Sequence, residues 1–72
     1  MIDLNLEYKG KRFHLSSAAR EIMADKFRID IEQDVKKVID LFIDAEMDFL
    51  DIQLFVSESN NGNYILNFMA MN

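Results

Sequence analysis

The sequence predicts an α+β domain: a β-hairpin, two helices and a second β-hairpin, folded as an antiparallel sheet with the helices on one face. Three observations predict it. Residues 2–8 alternate apolar and polar side chains and run into Lys9-Gly10, the middle of the chain carries apolar residues at helical spacing, and residues 52–71 form two extended runs around Asn61-Gly62. Strand and helix segments segregated in this order sort as α+β.

In the first hairpin, Ile2, Leu4, Leu6 and Tyr8 face one way and Asp3, Asn5 and Glu7 the other. Lys9-Gly10 offers a two-residue turn in which Gly supplies a positive φ. Such a turn places Leu6 opposite Phe13 and Leu4 opposite Leu15 on the apolar side. Glu7 then faces Arg12 on the wet side, an opposite-charge cross-strand pair. Pattern and pairing agree on a hairpin over about residues 2–15.

Ser16 and Ser17 are candidates to cap a helix, and Ala18 to Phe27 are mostly good helix formers, with Ala19, Ile22, Met23 and Phe27 as a short apolar stripe. A break is expected near Arg28-Ile29, because Asp30 and Gln33 fit a capping box and Glu32 and Asp34 suit a first helical turn. The second helix is expected over about residues 31–51. In the last segment Asn61-Gly62 reads as a tight turn that sets Phe55 opposite Phe68 and Leu54 opposite Met69.

The chain is a single domain of 72 residues, half of them apolar; Ile, Leu, Val and Phe make up 24. That content is well above the level at which chains stay disordered. There is no Cys and no Pro, so disulfides, thiolate metal sites and a Cys nucleophile are excluded. The start, Met1-Ile2-Asp3-Leu4-Asn5, has neither the basic nor the apolar region of a signal peptide. No apolar run approaches the roughly 20 residues that span a bilayer. A cytoplasmic protein with no membrane contact is expected.

The net charge is −5, and its distribution is uneven. Residues 1–37 hold 8 basic and 7 acidic side chains, hence +1; residues 38–72 hold no base and 6 acids, hence −6. An acidic half repels phosphates, which argues against direct nucleic-acid binding through it, and attracts basic surfaces. On a helical wheel with Asp40 at 0°, Asp51, Asp44 and Asp48 fall at about 20°, 40° and 80°. They would form one narrow acidic stripe on the second helix. Like charges one turn apart destabilise a helix by roughly 0.2–0.5 kcal/mol per pair, and no base follows residue 37 to offset them.

The same wheel spreads apolar residues from about 100° to about 340°, with Glu46 at about 240° among them, whereas an ordinary surface helix has a stripe of about 100°. The C-terminal runs show the same excess. Ile52, Leu54, Val56, Ile65, Met69 and Met71 are assigned to one face, and Phe55, Tyr64, Leu66, Phe68 and Ala70 to the other. A strand apolar on both faces is covered twice or forms an interface. A homodimer, or an apolar patch for a partner, is expected through Phe55, Leu66, Phe68, Met69 and Met71.

Chemical motifs are weak. Asp30, Glu32 and Asp34 have the opening spacing of an EF-hand, but Val35 stands where Gly is needed and Leu41 where the closing Glu belongs. His14, on the outer face opposite Asn5, has no ligand or base neighbour in sequence. Gly10 and Gly62 are turn residues, so there is no phosphate loop. The cationic turn Lys9, Lys11, Arg12 carries too few charges to hold nucleic acid at physiological salt; in a dimer it would face the acidic half of the other subunit. A catalytic reading would require Glu46 or His14 in a pocket. No enzyme, cofactor or metal is expected. The favoured expectation is a small acidic inhibitor or adaptor that presents Asp40, Asp44, Asp48 and Asp51 to a basic, nucleic-acid-binding site on a larger protein, by analogy with phage or mobile-element inhibitors. The alternative is an assembly subunit that acts through its apolar surface.

Overall fold

The computed structural model describes residues 2–43 and 48–71. Its elements are β1 (Leu4–Tyr8), β2 (Lys11–Leu15), α1 (Ser17–Phe27), α2 (Glu32–Phe42), β3 (Asp51–Glu58) and β4 (Tyr64–Ala70). The four strands form one sheet in the order β1-β2-β3-β4.

The first hairpin has the expected register, with Leu4 opposite Leu15, Leu6 opposite Phe13 and Glu7 opposite Arg12. Lys9 (φ 52°) and Gly10 (φ 78°) both take positive φ, which a two-residue type I′ turn requires and which matches the twist of the strands. Alternation then sends Leu4, Leu6, Phe13 and Leu15 to the helix side of the sheet.

Ser16 caps α1 by accepting the Ala19 N–H at 3.1 Å. Arg28 ends the helix in the left-handed region (φ 60°), and the Ile29 N–H returns to the Met23 carbonyl at 3.1 Å. The break between the helices is therefore where the sequence places it. Its chemistry differs: α2 is preceded by Ile31, which makes no side-chain cap, so Asp30 and Gln33 do not act as the expected capping box. Glu32 and Asp34 do occupy the first turn, where the helix dipole favours them.

Three expectations need correction. The sheet is mixed and not wholly antiparallel, because β2 and β3 pair in parallel, with Phe13 beside Ile52 and Leu15 beside Leu54. A connection as long as residues 16–50 can carry the chain back to the starting end of β2, and the sequence pattern alone does not reveal that crossover. Second, α2 stops at Phe42; Ile43 is extended (ψ 133°) and Asp51 already opens β3. Asp40 lies in the last turn of α2, which holds no base, and continuing the helix would stack more acids against the negative end of its dipole.

Third, the C-terminal hairpin is shifted by one residue. Leu54 faces Phe68, Phe55 faces Asn67 and Gln53 faces Met69. The Ser59 N–H bonds the Asn63 carbonyl at 2.7 Å and the Gly62 N–H bonds Ser59 at 3.0 Å. Asn60, Asn61 and Gly62 thus make a three-residue loop, with Gly62 at φ 78° in its left-handed position. One extra loop residue moves Leu66 and Phe68 onto the same face as Leu54.

The core lies between the sheet and the two helices. Leu6, Phe13, Leu15, Ile52 and Leu54 meet Ala19 and Met23 of α1 and Val35 and Ile39 of α2. No polar side chain is buried there among the described residues. Ile52 sits at the middle of this layer with no solvent exposure. Ile52→Ala is expected to destabilise the fold by about 2–5 kcal/mol in a denaturant titration, since the site is ringed by packed side chains. Arg28→Gly is expected to stabilise it by about 0.5–1 kcal/mol, because glycine relieves the left-handed strain at the end of α1.

Candidate interaction surface

Of the acidic residues singled out by spacing, Asp40, Asp48 and Asp51 do not share one helix face. Asp40 is on α2, Asp48 lies in the segment before β3, and Asp51 is the first residue of β3. Asp44 and Glu46 lie outside the described residues. The stripe is therefore corrected to separate sites, because the helix that would have aligned them ends at Phe42.

Two of these sites are occupied by the chain's own donors. The Tyr8 hydroxyl donates to both oxygens of Asp40 at 2.9 Å, and Lys9 Nζ lies 2.6 Å from Oδ1. Lys9 and Lys36 also stand over the Tyr8 ring, at 5.4 and 5.6 Å from its centre. The first hairpin turn is thus tied to the end of α2. Lys9 and then Tyr8, by donating to it, hold the Asp40 carboxyl below its ordinary pKa, while the bond to Asp40 raises both Tyr8 and Lys9.

Asp51 closes a second network on the opposite face of the sheet. Arg12 Nη2 donates to its Oδ2 at 2.5 Å, His14 Nε2 lies 3.1 Å from its Oδ1, and His14 Nδ1 lies 2.7 Å from Asn5 Oδ1. Arg12 first, and then His14, lower the Asp51 pKa. His14 faces Asn5 across the hairpin as the sequence indicates, but its link to Asp51 depends on the parallel pairing and has no local signature. The cationic turn also reaches into the acidic half through Lys11 Nζ, 3.2 Å from the Phe49 carbonyl. The attraction expected between two subunits is satisfied within one chain. The same turn and Leu50 line a shallow pocket of about 290 Å³.

The apolar candidates divide between the two faces of the sheet. Leu66 and Phe68 face the helices, where the Phe68 ring lies 5.3 Å from that of Phe42. Phe55, Met69 and Met71 alternate onto the other face, which neither helix covers, and Ile65 joins them there. Ile65, Met69 and Met71 are 49%, 50% and 42% exposed. Ile65 was not among the residues expected at the interface; the strict alternation of β4 marks it once the register is known. β4 is also an edge strand, and the chain has no charged residue after Glu58. Natural edges are commonly protected by charge, proline or bulges. The opposite edge, β1, carries Glu7 and is followed by Lys9.

In comparisons with known proteins, no family model matches the chain, and neither a curated protein nor a solved structure is significantly similar to it. No helix among the described residues is long and apolar enough to cross a membrane.

The two carboxylate networks give the fold a defined pH response. Asp40 and Asp51 have folded pKa values below the ordinary 3.8, so their pairing stabilises the fold above that pH and is lost as pH falls through the lower folded values. Lys9 and Tyr8 have raised values, so their contribution is complete below their ordinary 10.5 and 10.0 and is lost as pH rises through the folded ones. Urea midpoints measured from about pH 7 to about pH 2 are expected to fall less steeply for Asp40→Asn and Asp51→Asn than for the wild type.

Proposed function

We propose that the protein is a non-catalytic protein-interaction module, an assembly subunit that acts through β4 and the uncovered sheet face beside it. The observation that carries this reading is the uncharged β4 edge with Ile65, Met69 and Met71 exposed on its outer face. In a chain of net charge −5 this is a local gap in the charge that otherwise keeps surfaces apart. Exposed main-chain donors and acceptors along such an edge supply affinity by strand addition, and the alternating side chains supply selectivity.

The acidic inhibitor reading has less to support it. Asp40 and Asp51 are engaged by Tyr8, Lys9, Arg12 and His14, and a basic partner would have to displace those donors. Of the acids singled out by spacing, Asp48 remains as an exposed carboxylate among the described residues.

A photoreactive phenylalanine analogue placed at Met69, and separately at Asp48, compares the two surfaces in lysate of the producing cell, irradiated at low salt and again at high salt. Adducts at position 69 are expected to persist at about 0.5 M salt, where surface charges are heavily screened. They are expected to disappear when Ile65→Lys is added. Adducts formed only at position 48, and lost at high salt, would return the function to the acidic surface.

A further inference from the structure

We infer that the partner on the β4 edge is a second copy of this chain, joined by antiparallel β4–β4 pairing about a two-fold axis at Asn67. This rests on the reading of β4 as the interaction surface and adds the identity and register of its occupant.

The hydrogen-bonding pattern fixes which groups are offered. The Met71 N–H points inward to the Asp51 carbonyl at 3.0 Å, and the Ser59 N–H bonds Asn63 across the same ladder. In an antiparallel ladder, inward and outward residues alternate. Asn63, Ile65, Asn67, Met69 and Met71 therefore bond β3, and the main-chain groups of Tyr64, Leu66, Phe68 and Ala70 point away from the sheet. These four outward residues are symmetric about Asn67. A two-fold axis there pairs Leu66 with Phe68 of the second copy and Tyr64 with its Ala70, which closes roughly eight main-chain hydrogen bonds.

The side chains fit the same register. On the uncovered face, Ile65 meets Met69 of the second copy twice, and the two Asn67 side chains meet on the axis. On the helix side, Leu66 lies beside Phe68 of the second copy, with the half-exposed Phe42 of each subunit above its own Phe68. No like charges are brought face to face, although each copy carries a net −5: β4 has none of its own, and Lys26, whose Nζ stands 5.5 Å from the centre of the Tyr64 ring, lies at opposite ends of the junction in the two copies. The acids of the neighbouring strand, Asp51 and Glu58, sit at its opposite ends. Pairing at the β1 edge would instead bring Glu7 and Lys9 into the junction. A seven-residue strand paired along its length buries on the order of 1,000 Å² in total, at the lower limit of a specific interface, which suits a reversible dimer of micromolar affinity.

Sedimentation from about 1 μM to about 500 μM, concentrations that bracket a micromolar equilibrium, is expected to show the mass rise from 8.4 kDa to twice that value at low and high salt alike. The chain has no cysteine, so single cysteines report the register. Asn67→Cys places both sulfurs on the axis at a non-hydrogen-bonded pair, where about 4.5 Å between Cα atoms suits a disulfide, and is expected to oxidise to a covalent dimer. Ile65→Cys is expected to do so at least about ten-fold more slowly, because its counterpart lies four residues away along the strand. The charge variants Ile65→Lys/Met69→Lys and Ile65→Glu/Met69→Glu should each dissociate at least about ten-fold more readily than the wild type, and should pair with one another when mixed. Both change exposed side chains and leave the inward main-chain bonds intact; thermal melts by circular dichroism confirm folding. A wild type that stays at 8.4 kDa throughout overturns the second-copy proposal. Equal oxidation at positions 65 and 67 overturns the register. Adducts to a different protein at position 69, with a monomeric wild type, would overturn this inference while leaving the proposed function standing.

Discussion

The parallel contact between β2 and β3 is the constraint on which the rest of the molecule depends. Phe13 beside Ile52 and Leu15 beside Leu54 turn two separate hairpins into one sheet and give the helices a continuous apolar floor. Neither hairpin has enough buried surface to persist alone, since three or more strands or a packed helix are needed for independent stability. The same pairing sets Arg12 and His14 next to Asp51, so the polar network on the outer face is a by-product of how the core closes. Tyr8 and Lys9 reach Asp40 for a related reason: the first hairpin turn lies against the end of α2.

Local features were legible in the sequence, and long-range ones were not. Alternation and the Lys9-Gly10 turn define the first hairpin to the residue, and Ser16 and the stripe of Ala19 and Met23 define α1. In the second hairpin two loop lengths satisfy the same Asn-Asn-Gly string. What separates them is polarity: the observed register gathers Gln53, Ser57 and Asn67 on one face, whereas the shifted one scatters them. The end of α2 had its own sign, because an apolar arc of more than half a turn does not belong to one surface helix. The ties between Asp40 and Tyr8, or Asp51 and His14, join residues 32 and 37 positions apart and leave no periodic trace.

Charge and apolar surface are partitioned with some economy. Lys9 and Arg12 of the first hairpin neutralise the acids that lie beside them in the fold, Asp40 and Asp51. Exposed apolar side chains lie in two regions: Ile65, Met69 and Met71 on the outer face of β4, and Ile2, Ile31, Leu41, Phe42, Phe49 and Leu50 elsewhere. Exposed ion pairs add to the apolar contact in tying the first hairpin to α2 and β3, and the outer face of β4 carries no charged side chain.

The separation of Phe13 from Ile52 along the chain also orders the folding reaction. The hairpins and helices close short loops and form on microsecond timescales. The central strands must wait for a loop of 39 residues to close, which costs entropy before any core contact returns it. A C-terminal hairpin that closes transiently before that contact would have two bare edges instead of one, with Ile52 and Leu54 uncovered. Newly made chains at high concentration are therefore most vulnerable to mispairing then, and the helical crossover that delays the native contact is the element that governs how long that interval lasts.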